Sequence, residues 1–205
     1  MGIEFDETFE IAPWRSLLAR ALHRNRSQPF CRFLQLATVR PDNTPANRTV
    51  VFRGFLERSD RLMIISDRRS QKTVQIRHNP HAEVCWYFTK TREQFRMSGE
   101  LMLVSDQTDS AHFQKARRQL WQKISDSARL QFAWPEPRAA RTEDSNFAPD
   151  APDATTPLST FCMLLLYPHS VDYLSLRGEP QTRKLYQRTQ KQDQTEEWSC
   201  LEVNP

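Results

Sequence analysis

The chain has 205 residues, of which 38% are apolar and 26% charged, with a net charge of +4. That is enough for one domain with a sizeable core, and the slight positive balance suits an anionic ligand without requiring nucleic acid. The sequence contains no run of 18 apolar residues, which argues against a helical membrane span.

Residues 1 to 12 carry Glu4, Asp6, Glu7 and Glu10, and they lack the positive start and apolar run of a secretory signal. The cysteines, Cys31, Cys85, Cys162 and Cys200, are too far apart for a CxxC pair and read as small hydrophobes in a reduced, cytoplasmic protein. Only four glycines are present: Gly2, Gly54, Gly99 and Gly178. Neither GxGxxG nor GxxxxGK[ST] can be built from them, so a bound phosphate would be held mainly by Arg and Lys side chains.

Pro13 to Asn25 reads as a helix, with Trp14, Leu17, Leu18, Ala21 and Leu22 on one stripe. Strands are expected at Phe30 to Val39, Arg48 to Phe55 and Leu62 to Ser66, joined by short polar turns that favour antiparallel neighbours. Ser70 to His78 reads as a short helix, capped by Ser70 and stopped by Asn79-Pro80. Ala82 to Phe88 and Gln94 to Val104 form an expected hairpin around Lys90-Thr91-Arg92, and Asp109 to Ser127 a longer helix. Trp134 to Pro157 holds five of the thirteen prolines and reads as a flexible insertion, at about 135–157, within a single domain spanning 1–205. Phe161 to Tyr167, Val171 to Leu176, Arg183 to Arg188 and Glu196 to Val203 complete about eight strands. Strands that follow one another without regular helical alternation point to a mainly β (α+β) fold, an antiparallel barrel with a few packed helices.

Three clusters could carry chemistry. Arg48 and Arg53 bracket an apolar strand core. Positions five apart face opposite sides of a regular strand, so both reach one ligand only if the strand twists or bulges, as Gly54 would permit. Two solvated arginines are the other reading. Ser70-Gln71-Lys72 could offer helix N–H groups and an ammonium to an anion, with Ser66 adding a hydroxyl, or be an ordinary cap and a surface lysine. Gln94 could match the donor and acceptor edge of an isoalloxazine ring, or lie idle on the surface. His23, His78, His81, His112 and His169 show no metal-ligand spacing, so no metal is expected. Arg68, Arg69, Arg77, Lys115, Arg117 and Arg118 read as solvated faces, so no nucleic-acid partner is expected.

Taken in order, R-T-V-V-F-R-G-F, S-x-K, H-N-P, C-W-Y-F, R-E-Q-F-R-M-S-G, L-Y-Q-R and W-S-C-L-E-V-N-P make the chain resemble the pyridoxamine 5′-phosphate oxidase family of FMN-binding split barrels. The resemblance runs from the Trp14 helix to the C-terminus. It implies an FMN-dependent oxidoreductase acting on a small molecule, working as a homodimer with FMN at the subunit interface. It places Arg48 and Arg53 at the phosphate and ribityl chain, and Val50 and Val51 against the flavin. It also implies FMN contacts for Ile65, Ser66, Gln71, Lys72, Gln94 and Arg183, with Ser125 and Ser127 given by the partner. Gln71 stands where the family's Ser-Arg-Lys has arginine, and Leu174 about where it has tryptophan. Glu179 and Gln181 stand near its substrate-gripping Arg-x-His. These departures, and the stretch S-D-S-A-R-L-Q-F-A-W-P-E-P from Ser125 to Pro137, resemble a plant and cyanobacterial branch rather than the true oxidase. A non-catalytic module of the same fold, carrying FMN, haem or a deazaflavin, is the alternative.

Overall fold

The computed structural model describes residues 10–190 and 196–205; residues 1–9, most of the acidic N-terminal stretch, lie outside them. Helix α1 (Trp14–Asn25) buries Trp14, Leu18 and Ala21, which is the stripe its spacing predicts. Its last residue, Asn25, is buried and fully used. Its Nδ2 donates to Ala21 O (2.8 Å) and Thr91 Oγ1 (2.9 Å), and its Oδ1 accepts from Lys90 N (3.1 Å), tying the helix end to a hairpin.

Eight strands follow among the described residues: β1 (Phe33–Val39), β2 (Pro45–Phe55), β3 (Leu62–Asp67), β4 (His81–Phe88), β5 (Glu93–Val104), β6 (Phe161–Ser175), β7 (Thr182–Gln190) and β8 (Glu196–Val203). All pairings are antiparallel, in the order β3-β2-β1-β4-β5-β6-β7-β8, and β3 also pairs with β6. That last ladder closes β1 to β6 into a barrel, and β7 and β8 extend from the C-terminal half of β6. The mainly β, antiparallel barrel expected from the sequence is therefore the observed fold. Inside lie Leu34, Leu36, Phe52, Leu62, Ile64, Val84, Trp86 and Phe95, at alternate positions along their strands.

Helix α2 (Gln71–His78) follows β3, while α3 (Ala111–Lys123) and α4 (Asp126–Leu130) follow β5. Helices α3 and α4 cover the outside of β6 with a second core, in which Trp121, Phe132 and Phe161 meet edge to face with centroids 4.9–5.8 Å apart. Phe161, Met163 and Leu165 enter this core, while Leu164 and Leu166 enter the barrel. Burial on both faces explains why the start of β6 is apolar without alternation.

Four expectations are corrected. The first strand starts at Phe33, because residues 28–33 form successive turns closed by Gln28 N to Asn25 O, Cys31 N to Gln28 O and Phe33 N to Phe30 O. The long helix expected to Ser127 is two helices. Ile124 is extended (φ −85°, ψ 154°), and Ser125 starts α4 by accepting from Ala128 N. The strands expected at Phe161 to Tyr167 and Val171 to Leu176 are one strand that bends at Pro168, opposite a register shift at Ser98/Gly99. The last β-hairpin begins at Thr182, one residue earlier, and β7 continues to Gln190. The Pro-rich segment carries one 3-10 turn (Asp144–Phe147) and touches the body at Asp153 O, which accepts from Trp121 Nε1 (2.9 Å).

The bend in β6 rests on Gly99. A Cβ there would lie 2.1 Å from Tyr167 O and 2.7 Å from its carbonyl carbon, both backbone atoms. Gly99→Ala is expected to remove about 3 kcal/mol of stability or to prevent folding, since a backbone cannot yield as a flexible side chain does. Urea denaturation measures it; an unchanged midpoint would show that the bend does not depend on this approach.

Candidate functional site at the barrel mouth

Inner-face positions at one end of the barrel are polar: Thr38 on β1, Arg48 on β2 and Ser66 on β3. Helix α2 lies across this end. Arg48 Nη1 donates to Leu36 O (3.0 Å) and Thr38 Oγ1 (2.6 Å), and its Nη2 to Gln75 Oε1 (2.8 Å). Thr38 also donates to Gln75 Oε1 at 2.6 Å, and Thr38 and Gln75 are 2% and 4% exposed. Three acceptors, Leu36 O, Thr38 Oγ1 and Gln75 Oε1, thus fix the guanidinium.

Lys72, in the first turn of α2, turns back to the same end. Its Nζ donates to Ser66 Oγ (3.0 Å) and Ser70 Oγ (3.1 Å), and the two hydroxyls are 3.3 Å apart. Ser70 is the N-cap by backbone position, but its hydroxyl makes no bond to the helix N–H groups. The nearby ammonium is the stronger partner, so the side chain serves the cluster rather than the cap.

Among the described residues, neither Arg48 nor Lys72 has an acidic partner. Asp67, whose charge reaches Lys72, is held by Arg69 through Nη2 (2.7 Å) and Nε (3.0 Å). Burial pulls the Lys72 pKa below its ordinary value of 10.5, and the charge of Arg48 pulls the same way. Burial, then the charge of Arg40, lowers Arg48 too.

Arg53 does not join this group. It lies on the outer face of β2, inside the register break between Phe52 and Phe55 where Gly54 takes φ +122°. Its Nε is buried without a hydrogen-bond partner. It lines a cleft of about 320 Å³ with Met63, His112, Lys115, Gln119 and Lys123. Burial, then the charge of Arg32, depresses its pKa.

The remaining residues singled out in the sequence are dispersed. Val50 is 8% exposed and its side chain belongs to the barrel core; Val51 points outward. Ile65 packs under α3 and α4. Gln71 opens α2, exposed, and accepts a hydrogen bond from Arg138. Gln94 lies on β5 opposite Tyr87 and Leu174. Arg183, on β7, is held by Asp172 at 2.7 and 3.0 Å. Ser125 and Ser127 bond to each other (3.0 Å) at the start of α4. The structure thus brings together Arg48, Ser66 and Lys72. It adds Thr38, Ser70 and Gln75, of which sequence reasoning missed Thr38 and Gln75. The signal for Thr38 was a polar residue at the inward parity of Leu34 and Leu36. Gln75 had none, since a lone Gln on a helix is ordinarily solvated.

Comparison with known proteins gives a consistent result. The model of the pyridoxamine 5′-phosphate oxidase FMN-binding domain matches residues 11–105. Pyridoxine/pyridoxamine 5′-phosphate oxidase 2 of Arabidopsis thaliana is 35% identical over 197 residues, covering 95% of this chain and 98% of its own length. The solved structure of a pyridoxamine 5′-phosphate oxidase-related, FMN binding protein from Nostoc punctiforme is 53% identical, with a TM-score of 0.90 over 96% of this chain and all of that one. PhzG from Burkholderia lata, solved with tetrahydrophenazine-1-carboxylic acid, shares the fold (TM-score 0.75, covering 100% of this chain and 98% of its own) at 15% identity. Among the described residues no helix is long and apolar enough to cross a membrane.

Burying two cations without an acid is unfavourable until an anion arrives. Unfolding restores Lys72 to an ordinary pKa, so between the depressed folded value and 10.5 the unfolded chain binds more protons, and ligand-free stability rises with pH across that window. Lys72→Met is expected to melt at the same or a higher temperature and to flatten that pH dependence. It is also expected to lose the melting rise that inorganic phosphate gives the parent protein. A sharply lower melting temperature would mean that Lys72 is a structural residue.

Proposed function

The chain belongs to the pyridoxamine 5′-phosphate oxidase FMN-binding family, and on that premise we propose that it is a homodimeric, cytoplasmic FMN flavoprotein that oxidises or reduces a small molecule. One observation carries the reading: Arg48 and Lys72 are half-buried at the barrel mouth with no acidic partner among the described residues, beside two serine hydroxyls. Guanidinium, ammonium and hydroxyl donors in one place are the donor set of a phosphomonoester, and the chain's four scattered glycines offer no backbone cradle instead. Bound FMN would supply the electron-pair transfer. The chain's own residues hold the phosphate, set the ring against Val51 on the outer face, and shape the substrate pocket. The buried, unpartnered Nε of Arg53 supports a second polar contact on that face.

Strand order supports the homodimer. Gln94 lies three strands from Arg48 either way round the barrel, by β2-β1-β4-β5 or β2-β3-β6-β5, and Arg183 on β7 is also three strands away by β2-β3-β6-β7. At about 4.8 Å per strand, Gln94 is roughly 14 Å from Arg48 across the sheet. A second copy would bring its own Gln94, Arg183, Ser125 and Ser127 to the first copy's flavin site. Phe33 (46% exposed) and Tyr87 (43%) leave an apolar surface between the two groups, suited to such a contact.

The Arabidopsis relative's name makes pyridoxamine 5′-phosphate the first substrate to try. Glu179 and Gln181 are exposed near the family's Arg-x-His positions, and a carboxylate there repels a substrate phosphate. The same departures favour a second reading, a flavin carrier without turnover.

The purified protein is expected to be yellow, and Arg48→Ala with Lys72→Ala to lose the flavin absorption. A colourless protein that takes up no added FMN would sink the proposal. Anaerobic bleaching by NAD(P)H or an amine, with recovery in air, distinguishes an oxidoreductase from a carrier. With pyridoxamine 5′-phosphate, Glu179→Arg combined with Gln181→His is expected to raise kcat/KM about tenfold, the scale of one regained charge-assisted bond. Rapid turnover by the parent protein and no gain in the variant would show that these positions do not select the substrate.

A further inference from the structure

The Pro-rich segment starts beside the barrel mouth. Arg69, two residues before Gln71, donates from Nη1 to Trp134 O (3.0 Å) and from Nη2 to Phe132 O (3.5 Å), while its other contacts clamp Asp67. Thr160 Oγ1 donates to Phe132 O (2.7 Å), and Arg68 N to Thr160 O (2.7 Å). Both ends of the segment are therefore fastened to the turn between β3 and α2. Next comes a tight turn, closed by Ala139 N to Glu136 O at 3.2 Å, with Arg138 in the left-handed region at φ +71°. From this turn Arg138 reaches Gln71, donating from Nη1 to Gln71 Oε1.

Gln71 lies between Ser70 and Lys72, at the position where the family pattern has arginine. The cation missing from the helix is thus present beside it, carried by another segment. Arg138 has no ion-pair partner among the described residues. Glu136, the acid in the same turn, has its charge directed at Arg69.

We infer that Arg138 is a phosphate-binding residue of the flavin site, supplied by the Pro-rich segment in place of the arginine that Gln71 replaces. The inference rests on the FMN reading above and adds to it a role for the segment. Gln71 acts as the neutral holder: its carbonyl fixes the guanidinium without cancelling its charge, where a carboxylate would.

The test compares FMN with riboflavin, which has the same ring and no phosphate, by titration calorimetry on the full chain. Arg138→Ala is expected to weaken FMN about fivefold, as suits one solvent-exposed charge contact, and to leave riboflavin unchanged. Arg138→Lys should keep most of the affinity. Adding Gln71→Arg to Arg138→Ala should restore it, because the cation returns to the helix. If Arg138→Ala binds FMN as tightly as the parent, or weakens riboflavin equally, the role of Arg138 falls while the FMN reading stands. If the parent protein binds neither flavin, both fall.

Discussion

The ladder between β3 and β6 is the constraint on which the other features depend. The first half of β6 pairs with β3 on one edge and with β5 on the other, so this strand has no free edge and no exposed face. Closure turns an open sheet into a barrel with ends. The chain leaves β3 at one of those ends and enters α2 at Gln71, four residues after Asp67, which forces the helix across the opening. The inner-face residues nearest the rim then meet a helix terminus instead of apolar strands. Thr38, Arg48 and Ser66 sit there, and each finds a partner on or beside α2. Were the β3–β6 ladder open, the same side chains would face solvent and could not converge.

Charge pairing separates this cluster from several other arginines, though not from buried Arg117, which is also held by neutral carbonyls, Phe161 O and Leu158 O. Arg15 is matched by Asp60, Arg69 by Asp67, Arg129 by Asp126 and Arg183 by Asp172, several of them partly buried. At these four arginines the fold supplies an acid. At the mouth it supplies neutral acceptors instead: Leu36 O, Thr38, Gln75, Ser66 and Ser70. Neutral acceptors orient a cation and leave its charge intact. That arrangement costs stability without a ligand and gains it with one, as in a preorganised anion site.

How much of this was legible in the sequence depended on locality. The β-strand set, α1 and α2 could be read because alternation, stripes and Asn79-Pro80 are local signals. The split of α3 from α4 at Ile124 was missed because the extended residue breaks no apolar stripe: Leu120 and Ile124 both enter the outer core. The continuity of β6 was hidden by Pro168, which sits at a bend opposite Gly99 and does not end the strand. The site was half legible. Arg48, Ser66 and Lys72 were visible as residue types close to expected element ends. Thr38 and Gln75 join only through long-range pairing, which no local pattern encodes. Arg138 was invisible for the same reason, being 67 residues from Gln71.

Strand β2 shows how one element can serve two surfaces. Up to Phe52 it alternates regularly, with Arg48 and Val50 turned inward and Val51 outward. The register break and Gly54 follow, and Phe55 packs against Trp14 at the other end of the barrel. The break spans Arg53 and Gly54, and the Arg53 side chain stays on the outer face, where it meets α3. The two arginines are not a clamp on one group but two separate cations, joined by a strand whose backbone and Val51 lie between them. An elongated ligand with an anionic end would fit this spacing if the end lay at Arg48 and the body crossed Val51. A compact anion could occupy either place but could not engage both, so the spacing on β2 favours an extended ligand.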